Sequence, residues 1–264
     1  MGETLYSKNT DIGRVYEWNG DEFVSVTTAI KNGIAKPGLV NWAAKQVANI
    51  AVRDADTVHA DSAEDHIRNI ISAFEGIRGA ASETGNIVHG LCDRLAKGEE
   101  VNDDEIDEAS KPFIVAYRQF LADWSPKYIE SEAFVASKKY GYAGTLDAII
   151  EIDGKAYLMD IKTGKSIYPE VGLQLAAYAR ADFIGSRGGS ENKLPDIHPT
   201  RGLVLHLRPN KYALYPVRMD DEVFDAFLAA LDVHNYETHL KHYIVGPKMV
   251  KEEPENGEGV EIGK

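Results

Sequence analysis

Cysteine is almost absent: Cys92 is the sole one in 264 residues. An internal disulfide, a cysteine-ligated iron–sulfur cluster and a Cys-rich zinc site are all excluded. Cys92 falls among apolar helix positions, where a small core side chain is the expected role. Long apolar runs are missing too. None approaches the ~20 residues that span a bilayer, and the opening "MGETLYSKNT" lacks the basic-then-apolar order of a secretory signal. No membrane partner is expected, and the expected location is cytoplasmic. Positive charge is short: 29 Lys and Arg against 42 Asp and Glu leave a net charge of −13. Proteins that coat nucleic acid show a basic footprint, so a broad binding face is disfavoured. A narrow basic channel, or a site whose charge is completed by bound divalent cations, is compatible with this balance. A last absence concerns glycine. "TGKS" (163–166) looks like the end of a phosphate-cradling loop, but the first glycine of that pattern is replaced by Met159. A nucleotide cofactor is therefore not expected.

What is present divides into two styles. The first half reads mainly as helices. A short hairpin, Val15–Trp18 and Glu22–Val26 around Asn19-Gly20-Asp21, precedes helical patterns from Lys36, over His66–Phe74, over Ala80–Ala96 and over Pro112–Trp124. The second half turns to strands. "KYIESEAFVAS", "YAGTLDAIIEI" and "KAYLMDIK" are followed by a helix predicted over Pro169–Ile184. A last hairpin, "GLVLHLRPNKYALYPV", leads to a closing helix capped by Asp220 or Asp221. This order predicts an α/β fold: a small mixed sheet flanked by helices, with an N-terminal helical lobe. The expected division is a hairpin and helical lobe over 1–125, a core over 126–246 and a disordered charged tail over 247–264, together one compact unit.

The chemistry concentrates at one hairpin. If Asp153-Gly154 form a two-residue turn, Ile152 pairs with Lys155, and counting outward puts Asp147 directly opposite Asp160. Lys162 shares a face with Asp160, and Thr145 lies opposite Lys162. Leu146, Ala148 and Ile150, with Tyr157, Met159 and Ile161, are expected to fill the other face. Two carboxylates facing each other at cross-strand distance repel. Either one holds a proton or a cation sits between them. A hard divalent cation held by carboxylates beside a phosphate, with a lysine near the attacking water, describes phosphodiester hydrolysis.

These residues resemble a known family. "GTLDAIIEIDGKAYLMDIKTGK…LQLAAYA" is similar to the core of the PD-(D/E)XK nucleases, in the RecB-type exonuclease branch, and "GNIVHGLCDRL" resembles that branch's G-x-x-x-H helix. The resemblance runs from about Gly85 to Tyr178, and the N-terminal segment is similar to phage-encoded members. Leu146 stands where the family's name has proline, and the cysteines of the iron–sulfur relatives are missing. The resemblance implies a restriction-endonuclease-like core. It also implies a site in which Asp147, Asp160, the Ile161 carbonyl and His89 hold one or two Mg²⁺ or Mn²⁺ ions. Lys162 would serve the attacking water, while Gln174 and Tyr178 would contact substrate and support the acids. Glu132 is a further candidate for the metal or the water, and Lys165 and Arg180 are candidates for phosphate contacts. The implied activity is a DNA nuclease, an exonuclease of replication, recombination or repair, with recombination or replication proteins as partners in a bacterial or phage-infected cell. Two other classes stay open: a structure-specific or RNA-directed endonuclease, and a non-catalytic DNA-binding assembly protein.

Overall fold

The computed structural model describes residues 5–54, 62–186 and 189–249. Three strands open the chain: β1 (Leu5–Thr10), β2 (Gly13–Trp18) and β3 (Asp21–Ser25). The β2–β3 turn is Asn19-Gly20, with φ of 51° and 91°, the left-handed pair that a two-residue hairpin requires. Asp21 therefore begins β3 rather than completing the loop.

Helices α1 (Val26–Gly33), α2 (Pro37–Asp54), α3 (Ala63–Ala96) and α4 (Lys111–Trp124) follow. Two of them depart from the sequence pattern. α1 starts inside the expected strand: Val26, Thr27 and Thr28 are poor helix formers, but Val26, Ala29 and Ile30 bury fully enough to override propensity. α3 is one helix of 34 residues, not two. Gly76 and Gly79 are tolerated within it.

β4 (Lys127–Ser137), β5 (Tyr142–Ile152) and β6 (Lys155–Lys162) lead to α5 (Glu170–Ala179). α5 stops short of the expected Ile184, because Phe183–Gly185 form β7 against β4. The short β8 (Glu191–Asn192), β9 (Arg201–Arg208) and β10 (Lys211–Arg218) precede α6 (Asp221–Asn235) and α7 (Lys241–Ile244). Asp220 caps α6 by accepting the Val223 N–H. Tail residues 250–264 lie outside the described residues.

The fold is α/β: one mixed sheet flanked by helices. β1, β2 and β3 belong to that sheet through β3, which runs parallel to β5. The N-terminal hairpin is thus part of the core sheet, not of a separate lobe. On one face α1, α5 and α6 bury Ile30, Leu175 and Phe227 against Leu146, Ile149 and Leu158. On the other, α3 and α4 bury Val88, Cys92 and Phe120 against Ala148, Ile150, Met159 and Ile161. Cys92 is a core side chain, and burial raises its thiol pKa well above the ordinary value. None of the described helices is long and apolar enough to cross a membrane.

α1 and α6 touch backbone to backbone. A Cβ on Gly33 would sit 2.2 Å from the Ala230 carbonyl oxygen. Gly33→Ala should therefore cost about 1–3 kcal/mol by overpacking, read as a lower urea midpoint at unchanged m-value.

Candidate active site

The hairpin register is the one its turn demands. Ile152 pairs with Lys155, and the ladder continues to Ala148 and Met159. There it stops. Asp147 and Asp160 do not form the next pair; β6 leaves β5 and runs parallel to β9, setting Asp160 beside Val204 and Lys162 beside His206. The Ile161 N–H, which a continued ladder would give to a main-chain carbonyl, donates instead to Asp147 Oδ2 at 2.6 Å. At its other end this edge of β5 is taken by β3, at Tyr142 and Ala143. Between Ala143 and Ala148 the edge has no strand partner among the described residues, and the cleft opens in that gap.

The opposite edge is irregular at the same level. β4 pairs Ser131 with Ala148 and Ala133 with Leu146, leaving Glu132 and Asp147 between them outside the ladder. Glu132 has φ of 48°, a left-handed conformation uncommon for a non-glycine residue and strained within a strand. Both strands exchange faces here. Leu146 joins the core of α5 and α6, whereas Ala148 and Ile150 join the core of α3 and α4. The expected common face for Leu146, Ala148 and Ile150 is therefore not formed. This inversion brings Asp147 and Glu132 to His89 on α3.

Two groups of side chains result. In the first, donor atoms of His89, Glu132 and Asp147 all lie within 4.8 Å of one another. His89 Nδ1 is 3.3 Å from Asp147 Oδ1. A small cavity of about 10 Å³ is bordered by these three and by Ile161, the size of one water or ion. Gly85 brings α3 close: a Cβ there would stand 3.3 Å from Thr163 Oγ1, one helical turn before His89. In the second group, Asp160 Oδ1 accepts from Lys162 Nζ and from Gln174 Nε2, each at 2.9 Å. Lys162 Nζ also lies 2.8 Å from Oδ2, yet that buried oxygen has no hydrogen-bond partner among the described residues. Asp160 falls outside the tight group of three, but both groups line one cleft of about 660 Å³, together with Arg14, Tyr16, Thr27, Asn86, Thr145 and Tyr178.

Electrostatics follow from this crowding. Burial raises the Asp160 pKa and the Asp147 charge raises it further, against the lowering effect of Lys162. For Asp147, burial pushes upward, but His89, Lys162 and the Ile161 N–H prevail and the pKa falls below the ordinary value. Burial works against His89 charge; its hydrogen bond to Asp147 and the nearby carboxylates outweigh that, so its pKa is raised. Glu132 keeps an open face to solvent, but desolvation of its carboxyl, then the Asp147 charge, push its pKa up to about 7. Tyr178 stays a neutral phenol: burial, then neighbouring Tyr16 and the two aspartates, raise its pKa well above the ordinary value.

Gly144 makes room for that phenol, since a Cβ there would meet the Tyr178 ring at 2.4 Å. Two candidate phosphate contacts are not brought into the cleft. Lys165 is exposed on the loop beyond it. Arg180, at the end of α5, donates to Asp221 and to the Ala176 and Met219 carbonyls. Arg14, Thr27 and Asn86 carried no local signal; they reach the cleft only because β2, α1 and α3 converge on the gap in β5.

No protein-family model matches the chain, and no curated protein matches it. Among solved structures, one titled "Crystal structure of SSO0001" aligns at 14% identity and a TM-score of 0.32, covering 74% of this chain and 84% of that chain. A likeness of that size leaves this chain to be read from its own geometry.

Glu132 separates strain from charge. Glu132→Gly and Glu132→Gln both remove the carboxylate, but only glycine relieves the left-handed backbone. The glycine variant should be the more stable of the two by about 1 kcal/mol, measured by urea denaturation.

Proposed function

We propose that the protein is a divalent-metal-dependent deoxyribonuclease, an exonuclease that hydrolyses phosphodiester bonds during DNA replication, recombination or repair. The observation that carries this reading is one cleft that gathers the carboxylates of Glu132, Asp147 and Asp160 with His89 and Lys162, the donor atoms of His89, Glu132 and Asp147 lying within 4.8 Å of one another. Three carboxylates in one partly desolvated recess call for a cation. The donor set suits a hard divalent ion, since it is mostly carboxylate oxygen, and the imidazole favours Mn²⁺ beside Mg²⁺. Asp147, Glu132 and His89 would hold it, with Asp160 and the Ile161 carbonyl as further donors. When bound, such an ion polarises a phosphate and lowers the pKa of bound water.

The chain's own side chains do the rest. Gln174 and Lys162 hold Asp160 in one orientation, by hydrogen bonds to the same oxygen. The Lys162 ammonium is half-buried at the cleft wall, where it orients the attacking water and offsets negative charge developing on the phosphate. Tyr178 contributes a neutral hydroxyl-bearing wall and no charge. A non-catalytic DNA-binding role would not require a desolvated acid–lysine pair beside a three-donor group. The working location we assign is the cytoplasm of a bacterial or phage-infected cell, with DNA as substrate and recombination or replication proteins as partners.

Asp160→Ala and Lys162→Ala should each abolish cleavage of end-labelled DNA in Mg²⁺ or Mn²⁺ while keeping the wild-type circular dichroism spectrum. Retained cleavage in either variant removes the assignment. In the wild type, chelation by EDTA should stop the reaction and added Mn²⁺ should restore it. Blocking both DNA ends should suppress cleavage if the enzyme is an exonuclease.

A further inference from the structure

The cleft is short of positive charge for its proposed task. Glu132, Asp147 and Asp160 line it, and its lysine and histidine are already engaged: Lys162 with Asp160, and His89 with Asp147. A backbone phosphate adds another negative charge. One cation lining the cleft is uncommitted: the Arg14 guanidinium has no hydrogen bond or ion pair with any described residue.

Arg14 is placed by a rigid frame. The residue before it, Gly13, has φ of 121°, and a Cβ there would meet Thr28 Cγ2 at 2.5 Å. The Arg14 N–H donates to Thr28 Oγ1 at 3.0 Å. Two residues on, and hence on the same face of β2, Tyr16 is buried and its hydroxyl lies 3.4 Å from Thr145 Oγ1. The backbone carrying Arg14 is thus pinned to α1 on one side and to β5 on the other. Arg14 is exposed and lines the cleft, as does Thr27 on α1.

We propose that Arg14 is the phosphate anchor of the cleft, binding the non-bridging oxygens of a DNA backbone phosphate through its planar fork of N–H donors. The guanidinium suits this task because it recognises a phosphate at two points and never loses its proton. It also offsets the repulsion between the substrate and the three carboxylates, so the metal-binding side chains need not be neutralised by the substrate-binding ones. Arg14 contacts substrate and takes no part in holding the ion. The proposal rests on the nuclease reading and assigns within it the group that recognises the substrate's charge.

The test uses the full chain, fluorescein-labelled single-stranded and duplex oligonucleotides of about 20 nucleotides, and three variants: Arg14→Ala, Arg14→Lys and Arg201→Ala. The last removes the same charge from the exposed start of β9. Cleavage is followed in Mn²⁺, DNA binding by anisotropy in Ca²⁺ across a salt series, and Mn²⁺ binding by calorimetry. Arg14→Ala should raise KM by about tenfold and lower the salt slope of DNA binding by about 1. Arg14→Lys should recover the salt slope and only part of the KM, since a point charge lacks the fork. Mn²⁺ affinity should stay at the wild-type value in all three, and Arg201→Ala should leave KM and slope unchanged. A wild type that cleaves DNA alongside an Arg14→Ala variant with unaltered KM and slope overturns the anchor while leaving the nuclease reading intact. A wild type that neither binds nor cleaves DNA overturns both.

Discussion

The hydrogen bond from the Ile161 N–H to the Asp147 carboxylate decides the architecture of the cleft. An antiparallel ladder propagates because each main-chain donor finds a carbonyl across the gap. Here a side chain takes the donor instead, the ladder ends after Ala148 and Met159, and β6 turns away to β9. A sheet interrupted in its interior exposes polar groups that would otherwise be covered. In this molecule the interruption is lined by acids, a lysine, a histidine and hydroxyls. The gap in the sheet and the polar site are one feature.

A second consequence is that charges from both layers meet. α3 delivers His89 from one side of the sheet and α5 delivers Gln174 from the other. The face inversion at Glu132 and Asp147 is what makes this meeting compatible with continuous cores above and below. Leu146 and Ile149 stay in one core, and Ala148 and Ile150 in the other. The cost is a left-handed Glu132 and a crowd of carboxylates, some with raised pKa. Strain and shifted acidity concentrated at one recess are typical of sites that bind or react.

Much of this was legible along the chain. The Asp153-Gly154 turn specified the β5–β6 register, because a two-residue turn leaves no freedom in pairing. The helical spacing of Gly85 and His89, and of Gln174 and Tyr178, put each pair on one helix face before any packing was known. The second acid-bearing strand and its lysine were likewise readable from "LMDIKTGK". Less visible was the role of Glu132. Its left-handed φ has no signature in a glutamate flanked by serine and alanine, and alternation alone left it an ordinary strand residue. The start of α1 and the early end of α5 were hidden for the same kind of reason. Each is set by partners far along the chain: α6 for the first, and β4 accepting β7 for the second.

By itself, then, the sequence determined most of the helices and strands, the β5–β6 hairpin register, the α/β layering and the two acids and lysine of that hairpin, while the histidine and glutamine were singled out by the family resemblance. The elements and the hairpin register follow from periodicity and turn chemistry, which act over a few residues. Only the tertiary structure decided that the acids do not face each other across a ladder. It grouped Asp147 with His89 and Glu132, tied Asp160 to Lys162 and Gln174, turned Arg180 to Asp221 and brought Arg14 to the cleft. Those outcomes depend on where a main-chain donor finds its acceptor and which charges must share a desolvated space, and both are settled by contacts between segments remote in the chain.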